Sequence, residues 1–594
     1  MRSRCELLGA ILVCLSTCGS AAAQDDPPAP DPRIDPITGR QNAVWPTPRR
    51  FDFLHMRLEL AFPDMQEARL EGVQTLRLTP VGRARAFLEL DCRGPQVGSV
   101  LFNGAPAAFT LGQGTLRVEF PAPLPPGQEA TVTIAYTLDF SENRGEGLTW
   151  ARPRPDAESE SRRFPMVHAQ GQAQLNSMWF PCHDFPNERL TTEILVDVED
   201  GYDVVSNGRL VSREASASGR VRWHWSQEQP HVNYLVTLAI GKWHVRDVGG
   251  SESARPGLAM PVYVDHRDAD NIEPIFGATP AMVAFFETLF AEPYPWHQYA
   301  QVCVRQFAAG GMENTGCTLL TDTTSRGSRP GSRDDLIAHE LAHQWTGDLL
   351  TCNSWEHLWL NEGWASYAEC LWEEHKAGDD PAEAKRAYLR AVVGYVRQQR
   401  SQNRGRAPEQ PPMASNRYEN PDDVFGKADD VYSKGAVVLH MLRMKIGDAA
   451  FFAGVRAYIQ RHKFGTVETS DFRRALERAS GKSLEQFFDQ WVYRPGLPAL
   501  AADYAWDGAS STLKIMLEQT QVIDRLNPAY RLDLPVRITY EDGTIQWVRM
   551  PLAEASAERT FTLAGRPRQV SIDPEITQAC RLTIRTPLET QDGG

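Results

Sequence analysis

From Phe51 to about Val264 the chain alternates apolar and polar residues in short runs, among them FDFLHMRLEL, LEGVQTLRL, ATVTIAYTL and VNYLVTLAI, broken by Pro and Gly. A period of two sends successive side chains to opposite faces, so these runs predict a twisted, mostly antiparallel β domain. After about residue 275 the apolar spacing becomes three and four, as in TPAMVAFFETLFA, RDDLIAHELAHQWTG, WLNEGWASYAECLWEEH and DDVYSKGAVVLHMLRMKIG. That spacing predicts a mainly helical region. Beyond RPGLPAL (494–500), the runs TLKIMLEQ, YRLDLPVRITY and TIQWVRMPL alternate again and predict a small β-sandwich. The expected chain is multidomain α+β, with an N-terminal β domain over 49–265, a mainly helical domain over 266–497 and a β-sandwich over 498–594.

The N-terminus departs from these patterns. Arg2 and Arg4 precede an apolar run from Leu7 to about Cys18 and then Ala21-Ala22-Ala23, the layout of a signal peptide over 1–23. Export to the periplasm or medium is therefore expected; Leu15-Ser16-Thr17-Cys18 offers a weaker alternative, lipoprotein anchoring at Cys18. Residues 24–48, rich in Pro and Asp, read as a tether. No other segment is long and apolar enough to suggest an integral membrane helix. A net charge of −14 argues against a nucleic-acid partner, which requires a basic stripe, and leaves room for a local acidic pocket that takes a cation. Seven cysteines follow residue 23, namely Cys92, Cys182, Cys303, Cys317, Cys352, Cys370 and Cys580. An odd, scattered set is no disulfide framework, although it leaves room for one or two bridges.

The chemistry concentrates in the helical part. His339 and His343 stand at i and i+4 within DDLIAHELAHQW and so project from one helix face toward a common ion. Glu340 is offset by one residue, placed to act on water rather than to bind the metal. Glu362 opens a second helix nineteen residues after His343, and antiparallel packing of the two helices brings it to the histidines. Two His and one Glu with an open fourth position make a hydrolytic zinc site.

H-E-x-x-H followed by eighteen residues and Glu resembles the gluzincin metallopeptidases. With GGMEN placed so that Glu313 falls 26 residues before His339, the chain resembles the zinc aminopeptidase family that includes alanyl aminopeptidase and leukotriene-A hydrolase, over about residues 50–500. The resemblance implies a saddle-like β domain, a thermolysin-like catalytic domain and a β-sandwich. It implies one Zn2+ per chain on His339, His343 and Glu362, Glu340 as general base toward a metal-activated water, and Tyr432 in VYSKGAVVL as oxyanion donor. Peptides with a free N-terminus are the implied substrates, their ammonium held by Glu313. Gly310 and Gly311 are expected to let the substrate backbone approach, Met312 to line the first pocket, and Asn314 to complete the motif. Gln172, nine residues before Pro181, stands where many members carry a second carboxylate, and Gln170 matches another glutamine of the first pocket. A neutral amide there holds an ammonium less tightly than a carboxylate.

Many members add a large C-terminal helical domain. This sequence ends at Gly594, which leads to the expectation of a more open cleft or one covered by a partner chain. The polar segment 399–423 reads equally as a cleft edge or as an exposed connection. Two other functions compete: a gluzincin endopeptidase, which has no use for Glu313, and a non-catalytic binding ectodomain on the same fold. Oligomeric state, the preferred first residue and any secondary epoxide hydrolysis are left open.

Overall fold

The structure is a computed structural model and describes residues 43–586 apart from 144, 328, 403–410, 427–429 and 526. The expected signal peptide, Cys18 and most of the tether lie outside the described residues. Phe51–Ala61 and Arg69–Pro80 alternate buried and more exposed positions and pair antiparallel. They sit inside an eight-stranded sheet ordered Arg209–Ala217, Arg220–Val232, Arg189–Glu199, Phe51–Ala61, Arg69–Pro80, Ala130–Asp139, Gln96–Phe102, Ala105–Pro106. One neighbouring pair, Phe51–Ala61 with Arg189–Glu199, is parallel. A four-stranded sheet (Asp203–Ser206, Leu238–Gly241, Met166–Gln170, Gly147–Ala151) shares the same core.

The site hangs on a five-stranded sheet. Its order is His244–Asp247, Pro261–Val264, β1 (Ala300–Val304), β3 (Cys317–Thr321) and, at the edge, β2 (Gly311–Met312). β1 runs parallel to Pro261–Val264 and to β3, and β2 runs antiparallel to β3. Alternation along the strands splits their side chains between two cores: Val302, Val304 and Leu319 pack with the N-terminal β domain, while Cys303 and Leu320 pack with the helices. A sheet covered on both faces welds two domains together. It also crosses the boundary expected at residue 265, because His244–Asp247 and Pro261–Val264 pair with the later strands rather than with the eight-stranded sheet. Alternation reports that a strand is buried, not which core it joins.

Three helices frame the cleft: α1 (Asp334–Ala342), α2 (Trp359–Lys376) and α3 (Ser433–Ile446). Asp334 and Asp335 occupy the first turn of α1, where carboxylates favour the helix dipole. Gly363 of α2 and Gly435 of α3 meet backbone to backbone; a Cβ on Gly363 would lie 2.8 Å from the Gly435 Cα. That close approach brings the start of α3 beside Glu362. Trp345, Trp359 and Trp364 are fully buried around these helices. The C-terminal sheets, four strands (Ser556–Thr562, Thr512–Gln519, Ala499–Asp507, Arg581–Thr586) and three (Ile545–Leu552, Leu532–Thr539, Gln569–Ile572), face each other as a sandwich whose Ile515, Leu517, Leu534 and Ile538 continue the helical core.

Cys92, Cys182, Cys303, Cys317, Cys352 and Cys370 are buried free thiols, so none of them forms the bridges that the sequence leaves open. Among the described residues no helix is long and apolar enough to cross a membrane.

Candidate active site

His339 lies in the last turn of α1, and His343 follows as its C-terminal cap. The hairpin between α1 and α2 returns Glu362 to them. The His339 and His343 Nε2 atoms lie 3.2 Å apart, and Glu362 Oε2 lies 3.5 Å from the first and 3.3 Å from the second. A tetrahedral ion with bonds of about 2.0–2.1 Å spaces its donors by about 3.3 Å. The triangle therefore fits a zinc-like ion, and the His/His/carboxylate donor set suits one.

The distal nitrogens are also engaged. His339 Nδ1 donates to Glu369 Oε1 at 2.9 Å, and His343 Nδ1 donates to the Thr346 carbonyl at 3.1 Å. Each bond fixes the tautomer that turns the Nε2 lone pair to the ion. Glu369 is a functional residue that the sequence reading missed. It follows Glu362 by seven residues on α2, two turns along the same face, and that spacing was a usable signal.

Glu340 is 5 % exposed and lines the same cavity, which measures about 300 Å³. Burial pushes its carboxyl up, to about 8, against the pull of His339 and His343; Glu313 and Glu362 add to the rise. A dication in the triangle acts in the opposite sense and returns Glu340 toward the carboxylate. A Cβ on Gly311 would overlap the Glu340 carboxyl. Gly311 thus makes room for Glu340, whereas a Cβ on Gly310 would meet only Leu336 at 3.5 Å. Both glycines line the cavity.

Glu313 follows the edge strand β2 and is 2 % exposed. Its Oε1 accepts from Tyr234 Oη at 3.2 Å and from Gln172 Nε2 at 3.4 Å, and its backbone carbonyl accepts from Gln344 Nε2 at 2.9 Å. Burial raises its pKa, opposed by His343. Gln172 Nε2 also donates to Glu362 Oε1 at 3.4 Å. The Gln172 amide thus turns its nitrogen, not its oxygen, to the two carboxylates. Tyr234 was not singled out from the sequence, and no local pattern marks it: it sits in a short turn at 233–235 and reaches Glu313 only through the fold.

Tyr432 precedes α3, lines the cavity, and stacks on His339 with ring centroids 6.0 Å apart. Burial, then Glu362 and Glu313, raises its phenol well above the usual tyrosine value, so it stays a hydrogen-bond donor. The remaining candidates lie elsewhere. Met312 is 1 % exposed in the helical core, and Asn314 is buried with Nδ2 donating to the Leu235 carbonyl at 3.3 Å; neither lines the cavity. Met312 faces inward from β2 and Asn314 lies just beyond that strand. Gln170 Oε1 accepts from the Gln172 backbone nitrogen at 3.3 Å and supports that residue from behind. Within 399–423, Met413 and Ala414 are buried in the core, and no described residue of the segment lines the cavity. A larger groove of about 490 Å³ lies on the eight-stranded sheet, but among the described residues no metal-ligand cluster borders it.

Residues 275–491 match the Peptidase family M1 domain, and residues 54–235 match the Peptidase M1 N-terminal domain. The chain belongs to peptidase family M1. Among its family M1 relatives are aminopeptidase B of Homo sapiens, 29 % identical over 493 residues (77 % of this chain, 71 % of that one), and leukotriene A-4 hydrolase of Xenopus laevis, 28 % over 480 residues (77 % and 74 %). Aminopeptidase N of Streptomyces lividans is 28 % identical over 439 residues, covering 72 % of this chain; the match spans about half of that relative's length, 48 %. The crystal structure of Legionella pneumophila aminopeptidase A in complex with aspartic acid shares the fold, with a TM-score of 0.73 and 18 % identity over 90 % of this chain and 60 % of that one.

Proposed function

We propose that this family M1 chain is a zinc aminopeptidase, which removes the N-terminal residue of peptides. The observation that carries the reading is the placement of the Glu313 carboxylate in the same 300 Å³ cavity as the ligand triangle and Glu340. A buried carboxylate beside a hydrolytic centre pairs with a free ammonium and sets its distance to the reacting carbonyl.

His339, His343 and Glu362 would hold the zinc ion, which when bound would supply Lewis acidity toward the scissile carbonyl and the attacking water. Glu340 takes a proton from the attacking water and later gives it to the leaving amine. Tyr432 donates its phenolic proton as a hydrogen bond to the oxyanion of the tetrahedral intermediate. Glu313 receives the ammonium, and Gln172 reverses its amide to present the carbonyl oxygen. Tyr234 and Gln344 hold Glu313 in place.

The test is one peptide offered with a free and with an acetylated N-terminus, its products read by mass spectrometry. The expected outcome is stepwise loss of single residues from the free peptide and a rate at least about 100-fold lower on the blocked one, the scale of a lost buried charge pair. Internal cleavage of both peptides at similar rates would identify an endopeptidase instead.

A further inference from the structure

A second cavity, of about 220 Å³, lies at the end of the five-stranded sheet and is lined by Arg152, Arg154, Arg162, Arg305, Arg326 and Asp322. Such a gathering of guanidinium groups is unexpected in a chain of net charge −14. Part of it is neutralised internally: Arg162 pairs with Asp265 at 2.9 Å and with Asp322 at 2.5 Å, and Arg326 shares Asp322. Arg152 and Arg154 are exposed and have no carboxylate partner among the described residues. Arg305 is 7 % exposed, donates from its two Nη atoms only to the carbonyls of Arg162, Ala151 and Phe164, and has a buried Nε with no acceptor. Burial, then Arg162, lowers its pKa to about 10, so it stays a cation at neutral pH. A cavity that Arg305 lines as a buried cation and that two exposed, unpaired guanidinium groups, Arg152 and Arg154, also line is one that an anion complements.

The cavity adjoins the metal site through backbone. Thr321 N donates to the Gly310 carbonyl at 3.0 Å, and the next residue, Asp322, borders the arginines. The stretch from Gln306 to Gly310 joins the two cavities, with Gln306 at the arginine end and Ala309 and Gly310 at the metal end. A peptide whose ammonium sits at Glu313 and whose backbone lies along Gly310 runs opposite to the protein chain, toward Gln306. Four extended residues cover about 14 Å.

We infer that the arginine cavity is a subsite for the leaving peptide and receives a carboxylate carried about three to five residues beyond the scissile bond, either the C-terminal carboxylate or an acidic side chain. The inference rests on the aminopeptidase reading. Planar guanidinium groups suit a carboxylate through paired hydrogen bonds, and the subsite favours short peptides that end in or carry an acid there.

The experiment compares peptides of about two to eight residues as free acids and as C-terminal amides, the first residue set by the best aminoacyl-coumarin substrate. An amidated hexapeptide with Asp or Asn at its fifth position separates the two sources of carboxylate. All are assayed with the wild type and with the Arg152→Ala/Arg154→Ala double variant, whose exposed positions leave the core intact. The expected acid-to-amide ratio of kcat/KM is near one for the dipeptide and rises to about tenfold, the scale of one charge-assisted contact, when the carboxylate lies about four residues out. A preference for Asp over Asn instead assigns the site to side chains and supports the inference equally. In the double variant the preference falls to about one while coumarin turnover is unchanged. The inference is overturned by ratios of one at every length with no Asp preference, or by a preference that the double variant retains. Failure of wild-type enzyme to cleave any aminoacyl-coumarin would sink the aminopeptidase reading itself, an outcome distinct from both.

Discussion

Glu340→Gln is expected to retain stoichiometric metal and to lose kcat by about 10³- to 10⁴-fold, the upper range for a general acid–base group. The substitution keeps side-chain volume, so the space that Gly311 leaves for residue 340 stays filled. It removes the only property the mechanism uses at that position, an oxygen that accepts a proton and later returns it. The loss corresponds to about 4–5.5 kcal/mol of barrier at 1.36 kcal/mol per tenfold. Metal content checks the alternative cause of inactivity: the proposed ligands, His339, His343 and Glu362, do not include residue 340, so metal analysis of the variant should match the wild type. A variant that keeps its metal and turns over within about tenfold of wild type would remove the proton-transfer role.

Tyr432→Phe is expected to lower kcat by about 10²- to 10³-fold, the usual cost of one oxyanion donor, with KM changed by no more than a few fold. The ring is retained, and with it the stacking on His339 and the packing near Phe425, whose centroid lies 6.5 Å away. Only the hydroxyl is lost. Because charge on the substrate oxygen develops after binding, the donor acts on the transition state more than on the bound ground state. Steady-state kinetics on an aminoacyl-coumarin decides; a raised KM with normal kcat would make Tyr432 a binding residue instead.

Much of this molecule was legible in its sequence because two periodicities did most of the work. The switch from alternation to three-and-four spacing near residue 275 separated the β domain from the helices, and the i, i+4 histidines placed two ligand atoms on one face of α1. Glu362 could be found because antiparallel packing of the two helices brings the start of the second back to the histidines. The harder cases all involve contacts across the fold. Gly311, expected to give a substrate clearance, also makes room for Glu340, a residue 29 positions later. Met312 and Asn314 belong to the motif yet are buried, Met312 in the helical core and Asn314 against the Leu235 carbonyl. Tyr234 reaches Glu313 from the N-terminal domain, and the arginine cavity draws on residues from 152 to 326. Such groupings have no local signature. Glu369 differs from these, since its seven-residue spacing from Glu362 was readable.

The central claim is that Glu313 makes this site count from an N-terminus, and the most direct measurement is the Glu313→Ala variant on matched free and N-acetylated peptides. Removal of a buried carboxylate that receives an ammonium is expected to cost about 3–4 kcal/mol, or about 10²- to 10³-fold in kcat/KM, on the free-amine peptide. On the blocked peptide the already slow rate should change by no more than a few fold, so that the preference for a free terminus collapses toward one. Equal losses on the two peptides, with the preference preserved, would contradict the account.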